Sequence, residues 1–156
     1  MKVKWLLIFM FLFWLTGYVR EFFFVNLNSI MYEKYYGHTT LPVPDSMQLF
    51  TRFSYKTLYV SKYIYTLLWI ILFYLLGLFS IRKLSGEKKL IAFLTYSYVI
   101  LLLLAGASMV YGYFVKERLQ DDEYTLSRWL LGIAQSPIIC FILLASEKLY
   151  NKSFRT

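Results

Sequence analysis

Cys140 and His38 are the two side chains in this sequence best suited to nucleophilic chemistry, and the residues around them keep them apart. A thiol becomes a nucleophile when a base or a positive charge lowers its pKa, and the single histidine is the natural candidate. Cys140, however, stands among Ile138, Ile139, Phe141 and Ile142, an apolar setting that keeps a thiol protonated and inert. It lies roughly 16 Å along a helix from Trp129, whereas His38 falls in a polar connection on the far side of Gly37. No ordinary fold joins them, and the chain reads as non-enzymatic. A single cysteine also excludes an internal disulfide and any CxxC redox or metal motif. Asp121-Asp122-Glu123 could in principle hold a divalent cation, but consecutive carboxylates on a helix point in different directions, and a solvated loop is the expected reading. No metal and no cofactor are expected.

The elements that carry these residues are apolar and long. Trp5–Val19, Tyr63–Ile81, Leu90–Val115 and Trp129–Ala145 contain no charged residue. A helix rises about 1.5 Å per residue and a hydrocarbon core is about 30 Å thick, so about 20 residues suffice to cross it. The middle two runs meet that length outright; the outer two reach it with flanking residues whose Lys and Arg can snorkel. With 59% hydrophobic residues and a mean hydropathy of +0.53, a soluble domain is not expected. The expected fold is an all-α integral membrane protein, one domain over 1–156. Its four transmembrane helices fall at about 3–25, 59–81, 90–115 and 128–148, with a loop at 26–58 that includes an interfacial amphipathic segment.

The net charge of +8 is a topology signal. The two termini and the loop between the second and third spans carry nine Lys and Arg against Glu87 and Glu147. The opposite side carries the remaining eight of the 17 basic residues against seven of the nine acids. The positive-inside rule then places both termini in the cytoplasm, in a bacterial inner membrane whose anionic headgroups answer the basic surplus. Nucleic acid is not an expected partner. Lys2 and Lys4 before an apolar run resemble a secretory leader, but no small-x-small cleavage site follows, so an uncleaved anchor is expected.

Between the first two spans, Arg20-Glu21 interrupts the apolar run, and Ile30–Tyr36 reads as a surface-lying segment ended by Gly37. Leu41-Pro42-Val43-Pro44 must be extended. Asp45 is placed to cap a helix over Met47–Lys62, with Met47, Phe50, Ser54, Leu58 and Lys62 on one face and Tyr55, Tyr59 and Tyr63 forming a ridge. The short turn at Leu84–Glu87 makes the second and third spans antiparallel neighbours.

The fourth span holds the sharpest local anomaly, Gln135-Ser136-Pro137. Proline deprives the carbonyl of Ile133 of its donor and kinks the helix, and Gln135 is costly in lipid unless it faces other helices. Gly132 with Ser136, and Ser108 with Gly112 in the third span, form small-xxx-small pairs that let backbones approach. These six residues are the candidate packing or partner contacts. Arg20, Glu21, Arg128 and Trp129 are the candidate outer-interface residues, Arg128 and Trp129 having the character of an interfacial anchor.

An anchor followed by Arg20-Glu21-Phe22, the Leu41-Pro42-Val43-Pro44 loop, two spans, and Ser127-Arg128-Trp129-Leu130 leading to Pro137 resembles the small four-helix exosortase F system-associated proteins of Bacteroidetes. Exosortases act through Cys, Arg and His at the outer face, a set that His38 and Cys140 cannot supply here. The resemblance therefore implies an accessory protein. Two functions follow as expectations: a non-catalytic accessory or assembly subunit packing against a larger integral membrane protein, or a small transporter or channel subunit working as a homo-oligomer.

Overall fold

The computed structural model describes residues 2–37, 42–116 and 125–153. Among them all regular structure is helical: α1 (Lys2–Tyr36), α2 (Gln48–Thr51), α3 (Tyr55–Leu84), α4 (Lys88–Lys116), α5 (Thr125–Ala134) and α6 (Ile138–Ser153). Val3–Tyr36, Tyr55–Leu84 and Lys88–Tyr111 are each long and apolar enough to cross a membrane. Leu126–Ala134 and Ile138–Tyr150 pass the same test only as a pair, bent by 61°. The chain divides into two compact units, one of residues 14–69 and one of residues 1–13 with 70–156.

In the unit of residues 14–69, α1 runs unbroken through 26–36, where a surface segment separate from the first span was expected. Asn26, Asn28, Ser29, Glu33 and Lys34 are polar but none breaks a helix, and Asn26 donates its side-chain amide to the Phe22 carbonyl at 2.7 Å. Gly37 ends the helix at φ 75°, its N–H bonded to the Glu33 carbonyl at 2.8 Å.

The helix expected over Met47–Lys62 is divided. A 3-10 turn at Asp45–Met47 leads into α2, and the chain breaks at 52–54 before α3 begins. Ser54 sets the new start: its Oγ accepts from the Thr57 N–H at 3.3 Å and lies 2.9 Å from Thr57 Oγ1. Asp45 makes no backbone cap either; Pro44 holds the cap position, and Asp45 Oδ1 accepts from Gln48 Nε2 at 2.8 Å. Met47, Phe50 and Leu58 still reach a common core despite the break. Leu27, Ile30 and Met31 from one face of α1 complete it, and Phe23, Phe50 and Tyr65 pack edge-on around it with centroids 4.7–6.1 Å apart. Lys34 Nζ donates to the Thr51 carbonyl at 2.7 Å, a cation at the C-terminal end of α2. The tyrosine ridge is present, with Tyr63 donating its hydroxyl to Tyr59 at 2.9 Å.

In the other unit, α3 presents Ile70, Phe73, Gly77, Ser80 and Ile81 as one buried stripe, and α4 presents Leu90, Leu94, Tyr98 and Ala105. Tyr74 meets Thr95 at 3.0 Å and Tyr98 edge-on, while Gly77 lies against Leu94, so α3 and α4 are antiparallel neighbours. Gly86, at φ 81°, makes the turn, with the N–H groups of Ser85 and Gly86 both bonded to the Ile81 carbonyl. Phe13 of α1 packs on Phe73 and Phe141, and α5 packs closely on α4.

Candidate functional site

Among the described residues of the second unit, the polar break between α5 and α6 is the one place where the backbone leaves the helix inside an apolar run. Pro137 has no N–H to offer the carbonyl of Ile133, yet that oxygen is not orphaned. It accepts the Ser136 N–H at 3.1 Å and the Ser136 hydroxyl at 2.7 Å. The loss of the i→i−4 donor and the bend are as expected, and serine before proline supplies the replacement in a tighter turn of bonds; α6 restarts when Phe141 N–H bonds to the Pro137 carbonyl at 3.0 Å. The α5 end is closed by the Gln135 N–H on the Leu131 carbonyl at 2.9 Å.

Gln135 is 4% exposed, beside Ala134 at 0%, and no buried side-chain nitrogen or oxygen among the described residues lacks a hydrogen-bond partner. Ser136 and Pro137 are half-buried. Gly132 differs from both. A Cβ built there meets no atom within 4 Å, so no described part of this chain uses its smallness. Ser108 is half-buried on α4, which also carries Gly112.

The close approach that the sequence did not reveal is at Gly77. A Cβ there would lie 3.3 Å from Leu94 Cδ2 and 3.7 Å from the Cβ of Cys140, so α3, α4 and α6 converge on it. Cys140 Sγ, buried, donates a weak bond to the Gly77 carbonyl at 3.9 Å. The thiol is thus a packing group at a three-helix junction. Gly77 with Ser80 is a small pair in an otherwise bulky run, and that was the available signal.

The interfacial candidates divide between the units. Arg20 and Glu21 belong to residues 14–69, where the Arg20 guanidinium lies 5.9 Å above the Phe24 ring. Arg128 and Trp129 belong to the other unit, on the first turns of α5, with Trp129 69% exposed while Ser127 beside them is 2% exposed. His38 and Asp121-Asp122-Glu123 lie outside the described residues. Among the described residues no group of three or more His, Cys, Asp or Glu is placed to share a cation. The arrangement as a whole supports helix packing and contact with other apolar surfaces. No family model matches this sequence, and no curated protein or solved structure matches it either.

Proposed function

We propose that this protein is a multi-pass inner-membrane protein with both termini in the cytoplasm, acting as a non-catalytic accessory or assembly subunit of a larger integral membrane protein. The exosortase-type sorting machinery is the partner class toward which the sequence resemblance points. The observation that carries the proposal is the open position at Gly132, on the helix that also exposes Leu126 and Trp129. A glycine with no neighbour among the described residues leaves room for the backbone of another helix, and association in lipid depends on such close approach.

Membrane placement has its own support. At 35 residues, α1 is about 50 Å long, and a bilayer core accounts for about 30 Å of it. The excess coincides with Arg20 and the residues that follow, and with the core of Leu27, Ile30, Met31, Met47 and Leu58. Lipid gives no hydrophobic reason to form such a cluster, whereas water does, at about 1.5–3 kcal/mol per fully buried large side chain. That end of the molecule therefore reads as a small knob on the outer face of the membrane.

The test is purification of the full chain in mild detergent. A stoichiometric hetero-complex supports the accessory role, and a stable homo-oligomer of this chain alone would overturn it. The second reading, a transporter or channel subunit, is favoured by the 61° break beside buried Gln135, since broken helices build substrate sites in transporters.

A further inference from the structure

A cleft of about 290 Å³ opens at the end of the second unit where the N-terminus, the α3–α4 turn and the last turns of α6 meet. Its lining is graded along one helical face. Phe141, Leu144, Ala145 and Lys148 recur on α6 at i, i+3, i+4 and i+7, so the wall passes from aromatic to aliphatic to cationic over roughly 10 Å. Val3 and Leu6, one turn apart on α1, and Leu84 of α3 complete the lining. The one carboxylate in the lining among the described residues, Glu147, is engaged: Ser85 donates its hydroxyl to Glu147 Oε1 at 2.7 Å.

Cations crowd the same end. Lys83, beside Leu84, lies 5.4 Å above the Trp5 ring, and Lys4, Arg82, Lys88 and Lys89 are exposed on the adjoining first turns and turn. A surface that is apolar at depth and cationic at its mouth matches an amphiphile with a negatively charged head. The volume is near the lower end of ligand sites, about 300 Å³, which suits one acyl segment and no larger apolar ligand.

The geometry points to a bound anionic phospholipid, its acyl segment between Leu6, Phe141 and Leu144 and its phosphodiester at Lys148, the one cation that lines the cleft among the described residues. A lipid site presupposes the membrane placement proposed above and adds a chemical selectivity to it. In that role the lipid would join α1, α6 and the α3–α4 turn at the cytoplasmic face.

The experiment uses the full chain in mild detergent, titrated with phosphatidylglycerol or phosphatidylcholine of identical acyl chains and read by native mass spectrometry. Wild type should retain phosphatidylglycerol preferentially. Lys148→Gln should lower that preference about fivefold, as one basic residue near an anionic surface contributes about a factor of that size. Ala145→Trp, which fills the cleft, should abolish retention of both lipids. Should Ala145→Trp fail to fold, as read by size exclusion, Lys148→Glu replaces it and should invert the preference. Equal retention of the two lipids by wild type, or unchanged preference in the variants, overturns the site. Alkaline carbonate extraction separates the two readings: a chain that stays in the membrane pellet yet shows no lipid preference loses only the lipid site, while one released to the supernatant loses the membrane placement as well.

Discussion

Ser136 donates its hydroxyl to the carbonyl oxygen of Ile133 over 2.7 Å, and so supplies the bond that Pro137 withholds. The consequence is a break that is hydrogen-bonded within itself. At this carbonyl the kink needs no water or neighbouring helix to replace the donor that proline lacks.

Pro137→Ala restores an N–H that can reach the Ile133 carbonyl, so α5 and α6 should approach one continuous helix. Spin labels at Leu126 and Leu149, both exposed, should then move apart by roughly 5 Å as the 61° bend relaxes. Ser136→Ala alone removes one of the two bonds and should cost about 1 kcal/mol while the bend persists. An unchanged interlabel distance in Pro137→Ala would show that packing on α4, and not proline, holds the angle.

Gly77→Leu places a side chain where Leu94 and Cys140 already sit within 4 Å, and should lower the stability of the isolated protein in detergent by about 1–3 kcal/mol. Gly132→Leu should leave that stability nearly unchanged, because no described residue lies within 4 Å of a Cβ built there. The accessory reading adds that Gly132→Leu loses the partner. A thermal shift on the isolated chain and recovery of the complex separate the two effects.

Much of this architecture was legible in the sequence, for identifiable reasons. Charge-free runs gave the long helices, Pro137 gave the break, and the four-residue spacing of Tyr55, Tyr59 and Tyr63 gave their ridge. Gly37 is legible as the end of the segment before it, but the unbroken run of α1 to Tyr36 is not, because Arg20-Glu21 and the residues from 26 onward read as limits of the first span, whereas none of them breaks a helix. The break at 52–54 was missed because face periodicity survives it, while Ser54, its capping signal, had been read as part of the face. Gly77 was missed because a close approach depends on which residues face it from α4 and α6. One strand of sequence does not carry that register.

The unit of residues 14–69 should be locally unstable without its core. Leu27 is fully buried, so Leu27→Ala should cost about 2–5 kcal/mol. Hydrogen exchange should quicken through Tyr55–Lys62, where Leu58 loses its packing partner, and remain slow in 70–84. Equal acceleration in both stretches would mean that the two units unfold as one.

The proposed topology rests on the unequal distribution of Lys and Arg, and thiol labelling tests it directly. Cys140 is 3% exposed and should give little background. In intact cells a cysteine at Ser85 should be shielded from an impermeant reagent, and one at exposed Ser46 should react. The reverse pattern would place the termini outside.

Gln135 separates the two functional readings most sharply. It is 4% exposed and flanked by Ala134 and the Ser136–Pro137 turn, so its amide is held where lipid cannot reach and where a lost partner is felt. Polar contacts between membrane helices contribute about 0.6 kcal/mol on average and about 1.7 at most, so Gln135→Leu should weaken the fold or its assembly only modestly. Gln135→Met keeps the length of the side chain and removes only its hydrogen bonding, which isolates polarity from shape. In an accessory subunit, recovery of the complex and activity of the partner should fall together, by a similar factor in both variants. In a transport pathway, flux should vanish in both while assembly is retained, because a few tenths of a kcal/mol do not dissociate the complex but an absent amide cannot coordinate a substrate. Retained assembly and retained activity in both variants would leave Gln135 with a purely local role in closing the end of α5.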